Sequence, residues 1–176
     1  MTRRLPLFAA AGIGALLGVL FARARGQDPA PSGAVGTACA ETLVLRLLPG
    51  QDLRAELQRL VDGRGIEAAA VVTCVGSLTR VTLRYADRAE GTTLDGKFEV
   101  VSLVGTLSRH GSHLHLSVSD GEGRTSGGHL QEGCTVYTTA EVVLAVLPEL
   151  RFRREPDPRS GFKELVVERS EPAAPR

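Results

Sequence analysis

The sequence predicts an α+β domain built on an antiparallel sheet, with one clear helix near its start. Three observations point there. Eight or nine short runs have strand character, and a single stretch has helical spacing. The connections are brief and rich in Gly, Pro, Asp and Ser, without the strand–helix alternation of a parallel sheet.

Thr42 to Leu48 is an apolar strand ended by Pro49-Gly50. From Asp52 the spacing becomes helical: Leu53, Leu57, Leu60 and Val61 form one stripe, and Gly63 to Gly65 stops it. Ala68 to Val75 is a strand broken by Gly76-Ser77, and Arg80 to Tyr85 is the next. Gly91 to Gly96 is expected to be a loop and Lys97 to Leu107 a long strand. Ser112 to Ser119 and Arg124 to Leu130 form a hairpin around Asp120-Gly121-Glu122-Gly123. Cys134 to Leu147 favours strand through Val136, Thr138, Thr139, Val142 and Val143, with a helical turn after Thr139 as the alternative. Arg151 to Arg154 and Phe162 to Val167 are two short strands around Pro156-Asp157-Pro158.

All four histidines, His110, His113, His115 and His129, fall in the 110–129 hairpin region. Alternate strand residues share a face, so His113 and His115 project together while Leu114, Leu116 and Val118 take the other side. A third imidazole across the hairpin, from His129, would complete a three-nitrogen set for one divalent ion. The register decides this. A two-residue turn at Gly121-Glu122 places His129 opposite Leu114, on the wrong face. A three-residue turn, or a bulge at Gly127-Gly128, is expected to bring it opposite His113. His110 reads as a loop residue. Glu132 and Glu141 are candidates to orient a ligand histidine, against their reading as ordinary surface acids.

Composition narrows the classes. With five Phe, two Tyr and no Trp, the core must be built from Val, Leu, Ala and Ile. Beyond residue 36 there are 17 basic and 19 acidic side chains, a balance that argues against a general binder of phosphate backbones. The three cysteines, Cys39, Cys74 and Cys134, are odd in number and widely spaced, so neither a disulfide framework nor a thiolate zinc knuckle is expected. No dinucleotide fingerprint, Walker loop, His-Glu-x-x-His or Gly-x-Ser-x-Gly occurs.

The ends differ from the body. Residues 1–26 run Met1-Thr2-Arg3-Arg4, an uncharged apolar stretch from Leu5 to Phe21, then Arg23 and Arg25. This suits a secretory signal peptide, an uncleaved anchor or a mitochondrial import segment, the only part expected to meet a membrane. Residues 27–40 read as a linker, 41–168 as the folded domain and 169–176 as a disordered tail.

The ordered series Leu-Pro-Gly-Gln-Asp-Leu (48–53), Val-Gly-Ser-Leu (75–78), Gly-Lys-Phe-Glu-Val (96–100), His-Leu-His-Leu-Ser (113–117), Gly-Gly-His-Leu (127–130), Thr-Thr-Ala-Glu-Val-Val-Leu (138–144) and Asp-Pro-Arg-Ser-Gly-Phe-Lys-Glu-Leu (157–165) resembles the plants-and-prokaryotes-conserved (PPC) domain. The resemblance spans about residues 41–168. It implies an antiparallel α+β fold assembled as a homotrimer and, for members with paired histidines, a divalent metal such as zinc, here on His113, His115 and His129. Plant relatives join the domain to a basic AT-hook. That part does not carry over, because neither Arg23-Ala24-Arg25-Gly26 nor Gly63-Arg64-Gly65 continues into the hook's Pro. A plant Gly-Arg-Phe-Glu segment, linked there to partner recruitment, appears as Gly96, Lys97, Phe98 and Glu99, with the planar guanidinium lost. The leading expectation is therefore a homotrimeric metal-binding module for a small ligand or protein partner. The alternatives are a DNA-associated regulator, by analogy with the plant proteins, and a metal-dependent enzyme of unknown substrate.

Overall fold

A computed structural model of the protein describes residues 39–170. The leader at 1–26 and almost all of the linker and tail expected at 27–40 and 169–176 lie outside these residues. Eight strands and one helix follow in the order β1 (Glu41–Leu47), α1 (Leu53–Arg64), β2 (Ala69–Arg84), β3 (Thr92–Ser108), β4 (Gly111–Ser119), β5 (Thr125–Leu130), β6 (Thr135–Val146), β7 (Leu150–Pro156) and β8 (Lys163–Arg169). The fold is the expected mostly antiparallel sheet with a single helix. Six strands pair in the order β1-β6-β2-β3-β4-β5, and the far end of β2 also pairs β5. The sheet thus curls until β5 meets β2. β7 and β8 form a separate two-stranded sheet. Among the described residues no helix is long and apolar enough to cross a membrane.

The helix begins where Asp52 caps it: its Oδ1 accepts the Ala55 N–H at 2.8 Å. Its Oδ2 accepts the N–H groups of Gly133 and Cys134 at 2.7 and 2.8 Å, fastening the helix start to the entrance of β6. The helix ends at Gly65, whose left-handed backbone (φ 63°) closes the last turn onto the carbonyls of Val61 and Asp62. Leu53, Leu57 and Val61 are wholly buried in the main core with Leu78, Leu83, Leu107 and Leu144. Replacing Asp52 by Ala strips a charged acceptor from three N–H groups at once, and we expect a loss of about 3 kcal/mol in denaturant unfolding. Asp52→Asn, which keeps one acceptor oxygen, should lose less.

Three sequence expectations are corrected. Gly76-Ser77 does not end a strand: β2 runs through it, with a register shift against β6 between Gly76 and Leu78 and one against both neighbours between Leu78 and Arg80. Glycine there lets β6 come close, since a Cβ on Gly76 (φ 146°) would lie 2.1 Å from the Thr139 carbonyl oxygen. Residues 92–96, expected in a loop, belong to β3, and 92–95 pair with the far half of β2, Arg80 facing Asp95 at 2.8 Å. Residues after Thr139 stay in strand throughout β6, paired on both sides, so the helical alternative fails.

Cys74 and Cys134 are buried, and burial pushes both thiols up to about 11, as befits small apolar residues. The β7–β8 hairpin is rooted in a second small core of Ala68, Leu150 and Phe152. The buried Ser108 hydroxyl at the end of β3 donates to the Phe152 carbonyl at 2.9 Å. This carries β7 past the start of β4, where the histidines are.

Candidate metal centre

The histidine hairpin turns through three residues. Gly123 N–H donates to the Asp120 carbonyl, Asp120 N–H to the Arg124 carbonyl, and Gly123 takes a left-handed φ of 79°. The Asp120 side chain caps this turn by accepting from the N–H groups of Glu122 and Arg124. Three-residue parity puts His129 on the histidine face, but its cross-strand partner is His115, with Leu116 facing Gly128. The expected partner His113 is thus corrected by two positions. No bulge is needed at the tandem glycines. Gly128 is instead where β5 passes between neighbours, since a Cβ there would lie 2.8 Å from the Arg84 carbonyl oxygen.

The buried side of β4 carries Leu114, Leu116 and Val118, each at most 2% exposed. Locking those side chains inward is what holds the imidazoles on the other face. The ring centroids of His113, His115 and His129 form a triangle with sides of 5.2, 5.0 and 5.6 Å, and one nitrogen from each lies within 4.8 Å of the others. His113 Nε2 and His115 Nε2 are 3.2 Å apart. Two nitrogens held ~2.1 Å from a tetrahedral ion are separated by about 3.4 Å, so this pair already has that spacing. His129 Nδ1 is buried without a hydrogen-bond partner, an orphaned polar atom that a bound cation would satisfy. The residues present fit a divalent ion.

The electrostatics hold His113 and His129 toward their neutral forms. Desolvation first, and then the positive charges of His113 and Arg84, pull His129 down to about 4. Desolvation, Arg154 and His115 lower His113 as well. Arg154 was not foreseen from sequence: its Nη2 lies 3.0 Å from His113 Nδ1. A guanidinium only donates, so Nδ1 accepts and the proton of the neutral ring sits on Nε2, facing His115. To ligate through Nε2, His113 must shift that proton to Nδ1 and Arg154 must let go. Nothing local to His113 in the sequence signals a contact 41 residues away; the docking of β7 supplies it.

The remaining predicted residues lie elsewhere. His110 is in the β3–β4 turn, 2.9 Å from Glu67, and is not in the cluster. Glu132 pairs with Arg54 at 3.3 Å, and Glu141 faces Arg46 and Val75 across β6, so neither orients a histidine. At 96–99, Gly96 and Glu99 are exposed, Phe98 packs against the core, and Lys97 Nζ sits 4.7 Å from the centre of the Tyr137 ring.

Residues 36–148 match the model of the Plants and Prokaryotes Conserved (PCC) domain. The curated relatives include a bifunctional protein GlmU of a Synechococcus strain, 47% identical over 148 residues. These cover 84% of this chain but only 23% of that protein, so the chain spans under a quarter of the curated relatives it matches. A solved structure of a hypothetical protein from Salmonella cholerae-suis is 47% identical with a TM-score of 0.75, over 76% of this chain and 97% of that one. A metal-containing protein from Archaeoglobus fulgidus shares the fold at 24% identity and a TM-score of 0.65, over 76% and 99% of the two chains.

Proposed function

From the premise that this chain belongs to the Plants and Prokaryotes Conserved domain family, we propose that it is a divalent-metal-binding, self-assembling module. The observation that carries the reading is the convergence of His113, His115 and His129 with an unpartnered buried nitrogen on His129. Zinc suits a set of three imidazoles, and such a set leaves one position open. An ion held there would supply a Lewis-acidic centre for an exogenous ligand. The Archaeoglobus relative is described as metal-containing, in keeping with this reading. The three rings are the only group of three or more potential ligands of this kind among the described residues.

Assembly as a homotrimer is the second part of the proposal. Val44, Val72, Val75, Val101 and Val104, on β1, β2 and β3, each expose more than half of their surface. Valines on a sheet face are costly in water, and contact between copies would cover them. The near-neutral balance of residues 37–176 favours a small-ligand or protein module over a duplex binder.

Elemental analysis of the full chain, with its mass in solution, tests the reading. We expect one zinc per chain and three chains per particle, and no zinc in the His113→Ala/His115→Ala/His129→Ala variant. A metal-free wild type after growth and refolding with zinc would overturn the metal, and a monomer the assembly. Tight duplex-DNA binding with a steep loss on adding salt would instead favour the regulator.

A further inference from the structure

We propose that the cavity beside the histidines is a binding site for the carboxylate or phosphate group of a small molecule, held jointly by Arg84, Arg154 and the ion. The inference rests on the metal reading and names the ligand class of that site. The cavity, of about 920 Å³, is open to solvent and has His113 and His129 in its wall. Four basic residues line it: Arg84 at the end of β2, Arg88 in the turn that follows, Arg154 on β7 and Lys163 at the start of β8.

None of these four forms an ion pair with a carboxylate among the described residues, whereas Arg54, Arg80, Arg124, Arg153 and Arg159 all do. Only Asp87 and Glu164 bring negative charge to the lining, leaving an excess of two positive charges before any ion arrives. Arg84 faces His129 in register across β2 and β5, and Arg154 touches His113. Half-buried guanidiniums next to a cation site repel the cation unless an anion lies between them. Three neutral imidazoles cannot supply that charge.

Guanidinium forks match the planar carboxylate and the oxygens of phosphate. Arg154 is held to His113 only by a bond that ion loading breaks, so loading frees it to meet the anion. The exposed ring of Phe162 at the cavity wall offers an apolar surface for the remainder of the molecule.

Calorimetric titration of the full chain with inorganic phosphate and with malonate, metal-free and zinc-loaded, tests this. We expect saturable binding of at least one of the two anions to the metal-free chain, tightened at least tenfold by zinc. Arg84→Gln/Arg154→Gln should weaken it at least tenfold, and the Lys pair at the same positions should restore part of it. The single variant Arg154→Gln should move two readouts in opposite directions, weaker anion binding and tighter zinc binding, which a merely structural role would not produce. Equal anion affinity with and without zinc, or in the Gln pair and wild type, overturns the proposal. A chain that takes up no zinc overturns the metal reading; the metal-free titration then decides whether the basic cavity binds anions at all, and its silence sinks that too. Circular dichroism of each variant confirms that the fold survives.

Discussion

Gly105→Ala is expected to cost about 3–5 kcal/mol and to abolish metal uptake together with the fold around it. Gly105 sits in mid-β3 with φ 135°, opposite Leu114 on the histidine strand. A Cβ built there would lie 2.0 Å from the His113 carbonyl oxygen and 2.9 Å from Leu114 Cα. Both are backbone atoms, so no rotamer change relieves the contact. β3 and β4 must separate at the residues that carry His113 and Leu114. Leu114 is 2% exposed, and drawing it from the core alone forfeits about 2 kcal/mol. The unfavourable backbone region adds ~1–3 kcal/mol for a residue with a side chain. The check is chemical denaturation with zinc analysis. Gly121→Ala in the hairpin turn, where an added Cβ meets nothing within 4 Å, should leave both unchanged. Equal behaviour of the two variants would show that the close strand approach at Gly105 is not needed.

That glycine illustrates where the fold was and was not legible. The stripe Leu53, Leu57, Leu60 and Val61, its Leu60 only partly buried, and the alternation through His113–Val118 are local patterns, and both appear in the structure as expected. Gly76 carried a local signal with two meanings. A strand glycine marks either an end or a close approach, and only the path of β6 past Thr139 shows which. Residues 92–96 look like turn material because Asp95 and Gly96 dominate them. They become strand because β2 is long enough to offer pairing partners out to Leu83. Tertiary pairing outweighed local preference there.

The site divides along the same line. The convergence of the three imidazoles on one face is readable from period two and from hairpin parity, although three-residue counting pairs His129 with His115 and not with the expected His113. The groups that shape the site's charge were not readable. Arg84 and Arg154 reach the histidines through the closing of β2 onto β5 and the docking of β7. Of the two readings open for Glu132 and Glu141, the sheet order supports the ordinary surface acid, placing them against Arg54 and Arg46. The residues around His113 and His129 are instead mostly basic: Arg84, Arg88, Arg154 and Lys163, against Asp87 and Glu164.

Zinc loading is expected to raise the unfolding temperature by about 8–16 °C. An ion that binds only the folded chain, present at a thousand times its Kd, contributes about 4 kcal/mol, and each kcal/mol moves Tm by roughly 2–4 °C for a chain of this size. A chelator should remove the gain, and the triple histidine variant should show none. The pH dependence of the metal-free chain follows from the same rings. His129 is held down to about 4 in the folded state, against about 6.5 for an ordinary imidazole. Between those values the unfolded chain takes up a proton that the folded chain refuses, so stability is complete above pH 6.5 and falls as the pH drops toward 4. His113, lowered by burial and by Arg154, adds to the slope in the same direction. Melting curves in chelator at pH 7 and pH 4.5 should therefore differ more for wild type than for His129→Gln, which cannot titrate. With zinc present the loss on acidification should be steeper, because protonating His129 or His113 removes a ligand as well. If the metal-free wild type and His129→Gln respond to acid alike, the buried nitrogen of His129 takes its proton without penalty, and the case for it as a desolvated ligand falls with that result.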